Sequence, residues 1–157
     1  MYRQIAFFIL AALTAVASWA QSVATCQNPE GYAYFHFSGL VPSEKSGFVQ
    51  DQITGGLVTL QKVGPRKYDL LFVDASKRII SATGDGGIVT LVRKGSQDAT
   101  FIHFYPGRVL EVYTFWVDSK GQSKYDILQS KGGDFMPIHK SSVMVGTCAN
   151  IDFDLIE

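Results

Sequence analysis

The chain has 157 residues, 46% hydrophobic and 13% aromatic, with 14 basic against 14 acidic side chains. That is one domain's length, enough to bury a single core. A balanced charge with no Lys/Arg cluster excludes an electrostatic footprint for nucleic acid or an anionic membrane.

The first twenty residues read as a signal peptide. Arg3 supplies the positive end, Ile5 to Ala17 is an apolar run interrupted only by Thr14, and Ser18-Trp19-Ala20 sets small residues before a cut after Ala20. The run falls short of the ~20 residues a spanning helix needs, so no transmembrane segment is expected after cleavage. Residues 21–157 form the expected single domain, with 13 basic against 14 acidic side chains once Arg3 is gone. The expected location is periplasmic or secreted. Two cysteines, Cys26 and Cys148, stand near the ends of that domain. In an oxidising compartment such a pair predicts one disulfide. Closing so long a loop stabilises by about 5 kcal/mol in the chain-entropy account. The two lack the close spacing of a zinc site.

Gln27 to Gly31 reads as a turn-rich lead into a strand over Tyr32–Ser38. That strand sets Ala33, Phe35 and Phe37 against Tyr32, Tyr34, His36 and Ser38. Gly39 to Gly47 is a polar loop containing Pro42, and Phe48 to Ile53 is a short strand or one helical turn. Strands are predicted at Leu57–Val63, Lys67–Val73, Ile79–Ala82 and Ile88–Arg93. The breaks fall at Gly64-Pro65-Arg66, Asp74 to Arg78, Thr83 to Gly87 and Lys94 to Asp98.

Ala99 to Gln129 is the centre of the chain. Three runs rich in Val, Ile, Thr, Phe and Tyr are separated by two short turns, which predicts a three-stranded antiparallel meander. A four-residue connection over Tyr105–Arg108 sets Phe104 opposite Val109, Ile102 opposite Glu111 and His103 with Leu110. At the second turn, a three-residue loop over Ser119–Gly121 with Gly121 left-handed pairs Asp118 with Gln122. It groups Tyr113, Phe115, Tyr125 and Ile127 on the face of Glu111, whereas a four-residue loop would mix Lys124 and Asp126 into that face. Both faces of the Val109–Val117 run are substantially apolar, so the strand is expected to be covered on both sides or to lie in a closed barrel whose outside is partly covered. A strand over His139–Gly146 and an edge strand over Ile151–Leu155, its acidic side wet, complete the chain. No sustained helical period follows the leader. The expected fold is all-β, an up-and-down antiparallel meander of about eight to ten strands. A closed, lipocalin-like barrel is favoured over a two-sheet sandwich, because the terminal disulfide joins first and last strands.

Chemistry-bearing motifs are few. Gly84-Asp85-Gly86-Gly87 precedes a strand, so it lacks the helix N-terminus that cradles phosphate. His36, His103 and His139 stand far apart, and no serine sits at a glycine-flanked elbow. No metal site, cofactor or enzymatic activity is expected. Glu111 is the singular residue: a carboxylate mid-strand among Val109, Tyr113 and Phe115 is costly unless it is paired. Glu111, Tyr113 and Phe115 are the candidate ligand-facing residues. By analogy with ligand-holding barrels, and with both faces of the central strand apolar, the expected fold points to a non-catalytic binding protein for a small apolar ligand. The alternative is a protein-interaction domain, an inhibitor or envelope-assembly factor, whose partner is an envelope protein met through the Pro42–Gly47 loop or a sheet edge. Titratable groups converging in a cleft would instead favour an enzyme.

Overall fold

β-branched and aromatic runs punctuated by Gly, Pro and Asp turns give ten strands. They are β1 (Gln21–Phe35), β2 (Gly47–Gln52), β3 (Leu57–Gly64), β4 (Lys67–Val73), β5 (Ile79–Ser81), β6 (Ile88–Lys94), β7 (Asp98–Tyr105), β8 (Val109–Val117), β9 (Ser123–Lys131) and β10 (Lys140–Ile151). The structure, a computed structural model, describes residues 20–73 and 77–157. The expected leader, up to Trp19, and residues 74–76 of the expected Asp74–Arg78 turn lie outside them. Among the described residues the only helical pieces are single 3-10 turns at Ser43–Lys45 and Phe153–Leu155.

All pairings are antiparallel, in the order β5-β4-β3-β1-β10-β9-β8-β7-β6, with β2 added on β1. This is an up-and-down barrel order cut between β5 and β6. The sheet curls into a half-barrel that stays open, which corrects the expected closed barrel. The physical reason lies in the short β5 and the turn after it. β5 has three residues, and its ladder is with β4. The chain then folds back on itself: Ala82 N–H donates to Leu70 O at 2.8 Å and Gly87 N–H to Ala82 O at 2.7 Å. Asp69 secures the turn, accepting from the Ser81 hydroxyl at 2.6 Å and Thr83 N–H at 2.9 Å. The turn occupies the edge where a closing ladder would form, and Val89 and Leu91 of β6 reach the core by packing alone.

β1 is longer than expected. The Gln27–Gly31 lead is a bulge inside a continuous strand, not a turn before one. Asn28 is left-handed (φ 52°) and its N–H donates to Gly56 O at 3.0 Å. Pro29 has no N–H to lose to a ladder, so both residues suit a bulge. The bulge divides one edge of β1 between two partners, with Gln21–Gln27 pairing β3 and Glu30–Phe35 pairing β2. The other edge pairs with β10, and Cys26 and Cys148 are bridged as directly opposed residues.

Two further expectations change at the ends of β8 and β10. The tail is not an edge strand. Ile151 is the last residue of β10, which lies between β1 and β9, and Phe153–Leu155 turns away as a 3-10 turn. Asp152 caps the 3-10 turn by accepting from Asp154 N–H, and Ile156 is buried at the core's end. The faces of β8 are unequally covered, the inner one buried and the outer one only partly. Its inner face packs Tyr113 and Phe115 into a core with Leu60, Leu70, Phe101 and Tyr125. Its outer face leaves Leu110 exposed beside a stripe of opposed residues, Tyr32, Val143, Leu128, Val112 and Ile102.

The register of β8 decides the interior. On the β9 side the expected three-residue loop forms: Asp118 N–H donates to Gln122 O at 3.0 Å and Gly121 has φ 76°. On the β7 side the connection is one residue shorter than expected. Arg108 N–H donates to Tyr105 O at 3.0 Å, Gly107 is left-handed (φ 73°), and Tyr105 pairs with Val109. The slip replaces Ile102 with His103 opposite Glu111.

Candidate functional site

Directly opposed residues in a ladder share a face. Opposite Glu111 stand His103 on β7 and Gln129 on β9, and opposite Gln129 stands Ser142 on β10. The inward face of four neighbouring strands thus carries one unbroken polar tier. The next tier inward is apolar apart from a phenol: Phe101, Tyr113, Ile127 and Met144. Below it lie Ala99, Phe115, Tyr125 and Gly146. On the outer side the tier is followed by Tyr105, Val109, Lys131 and Lys140.

Burial forces the tier to satisfy itself. The His103 side chain is 2% exposed and that of Glu111 12%. Glu111 Oε2 lies 2.8 Å from His103 Nδ1 and accepts from the Tyr113 hydroxyl at 2.8 Å, while Gln129 Nε2 donates to Oε1. An ionised carboxylate only accepts, so Nδ1 carries the imidazole proton. Burial alone would raise the Glu111 carboxyl, but hydrogen bonds from His103, Gln129 and Tyr113 outweigh it and hold the group below its ordinary value. Burial, then the Glu111 charge, pushes the Tyr113 phenol well above its ordinary value. Within the tier, two buried polar atoms remain without a partner, His103 Nε2 and Gln129 Oε1.

The tier forms one wall of a cavity of about 270 Å³. The curl of the sheet supplies the facing wall from Leu57, Val58, Phe72 and Val73, and the Phe72 ring centroid comes within 6.5 Å of that of His103. A flat or slender molecule placed there would meet hydrogen-bonding groups on one side and hydrocarbon on the other. His103 is less suited to proton transfer. General-base work needs a nitrogen within reach of a substrate proton. Nε2 is buried against the Gly87 backbone, where an added Cβ would stand 2.8 Å from it.

Of the residues singled out from sequence, Glu111 and Tyr113 line the cavity. Phe115 does not: it is fully buried two tiers below Glu111, its ring stacked 6.4 Å from Tyr113 and 6.2 Å from Tyr125. His103, Gln129 and Ser142 were not expected in the site. The signal that finds His103 is the Pro106-Gly107-Arg108 turn, since a three-residue loop with a left-handed glycine sets it on Glu111, while the three-residue loop after Asp118 sets Gln129 there and the β9–β10 pairing adds Ser142. His36 and His139 stand elsewhere, His36 edge-on to Tyr34 and His139 beside Gly133 O. Among the described residues no group of three metal-ligating side chains comes together, and no helix is long and apolar enough to cross a membrane.

No protein family, characterised protein or solved structure matches this chain. The site is therefore read from its own geometry.

Proposed function

We propose that this chain is a non-catalytic, exported binding protein that holds one small, largely apolar ligand inside the half-barrel. The observation that carries the reading is the polar tier of His103, Glu111, Gln129 and Ser142 facing the apolar wall of Val58 and Phe72 across the cavity. A few placed polar groups in a mostly apolar concavity fix orientation, and hydrocarbon supplies affinity. The cavity's 270 Å³ sits just under the roughly 300–1,000 Å³ of drug-sized sites, which suits a small guest. His103, Glu111 and Tyr113 are the converging titratable groups an enzyme would need, but the burial of Nε2 favours holding over turnover. Export is supported by the Cys26–Cys148 bridge and the composition of the first twenty residues.

Native mass spectrometry of gently purified protein tests the reading. The expected result is a mass above that of the oxidised chain, with the excess released as a small molecule on denaturation. The reading also expects Val58→Trp, which fills the cavity, to abolish that excess; an excess that survives the substitution would contradict it. A second reading, docking to an envelope protein, is favoured by the exposed outer stripe, where Tyr32 is 64% and Val143 53% exposed.

A further inference from the structure

Lys131 ends β9 and Lys140 opens β10, and the ladder sets the two directly opposite each other. Like charges so placed repel, and nothing in the strand pairing requires lysine at either position. Both line the cavity, one tier outward from Gln129 and Ser142. Lys140 is balanced: its Nζ lies 3.0 Å from Asp51 Oδ2 and 5.7 Å from the centre of the Phe35 ring. Lys131 has no carboxylate partner among the described residues. Glu111 is the carboxylate of the adjoining tier, but His103, Tyr113 and Gln129 already occupy its oxygens. Lys131 is thus a rim cation with no ion-pair partner among the described residues, above a cavity whose far wall is hydrocarbon.

We infer that the ligand is a small amphipathic anion, its charged head held at the rim by Lys131 beside Lys140 and its apolar body lying against Val58 and Phe72. This inference rests on the cavity-binding reading above. An anionic head would relieve the repulsion between the two ammonium groups and gain charge-assisted hydrogen bonds. The cavity's size admits a single short chain or one ring, not a two-tailed lipid.

Titration calorimetry with octanoate and with octanol, which share a hydrocarbon tail, separates the two ideas. Wild-type protein is expected to bind octanoate at least roughly tenfold more tightly than octanol, the size of one charge-assisted contact. Lys131→Met should remove that preference and leave octanol binding unchanged, with Lys131→Gln doing the same. These positions are half-exposed at a strand end, and an unchanged melting curve confirms that the variants fold. Equal binding of the two probes, or octanoate binding indifferent to Lys131, would overturn the anionic head and leave the cavity reading standing. Binding of neither probe would overturn both.

Discussion

Glu111 is a carboxylate on an inward strand face, and its three hydrogen-bond donors make that position tolerable. Removing the charge while keeping the shape, as in Glu111→Gln, should cost about 1–3 kcal/mol at neutral pH, because Tyr113 and His103 lose a charged acceptor. The dependence on pH has a definite sign. The carboxyl is held below its ordinary value in the folded protein, so the unfolded chain binds more protons as the solution turns acid. Its stabilising effect is complete above the ordinary carboxylate value and fades as pH falls through the folded one. Urea unfolding at a series of pH values should therefore show the gap between wild type and Glu111→Gln narrowing below about pH 5. A gap that stays constant would mean the carboxylate is not the charged acceptor described. Glu111 was legible in the sequence because a lone acid among Val109, Tyr113 and Phe115 breaks an apolar pattern. His103 was not, since a histidine on a strand carries no mark of its partner until the register is known.

At the scale of elements, turns decide which side chains meet. Two hairpins flank β8, and both use a three-residue loop ending in or containing a left-handed glycine, Gly107 and Gly121. The second was legible because the competing loop puts Lys124 and Asp126 on the apolar face. The first was not. Val109–Val117 is apolar on both faces, so a one-residue slip against β7 costs no obvious pattern, and hydrophobicity does not choose between the registers. The β5–β6 turn has a matching effect on the site. A side chain on Gly87 would stand 2.8 Å from both Ala82 O and His103 Nε2. Gly87→Ala should therefore lower the denaturant midpoint by the equivalent of about 1–3 kcal/mol, as overpacking does. The same substitution at Gly121, which has no neighbour within van der Waals reach, would strain only its own backbone. A Gly87→Ala protein as stable as wild type would move the turn away from His103.

For the whole molecule, the paired termini are the main long-range constraint. β1 and β10 are adjacent, and Cys26–Cys148 bridges positions 122 residues apart. Cys26→Ser should cost about 2–5 kcal/mol under oxidising conditions and markedly less under reducing ones, read by thermal melts of both proteins. All-β content, strand count and the terminal bridge were legible in alternation, turn residues and cysteine placement. Closure was not, since it depends on a three-residue β5 and a glycine-rich turn meeting β4 and β6 across the curl. The tail's fate was likewise hidden: alternating Ile151, Phe153 and Leu155 suit an edge strand, but β10 runs through Ile151 and Asp152 then caps a 3-10 turn over Phe153–Leu155. The open side and the curl together leave an interior pocket. We propose that this pocket, not the outer stripe, receives the ligand. An amide NMR titration with octanoate tests it most directly. Shifts are expected to concentrate at His103, Glu111, Gln129 and Lys131 with Val58 and Phe72 across the cavity. Shifts confined to Tyr32, Val143 and Leu128 on the outer face would contradict it.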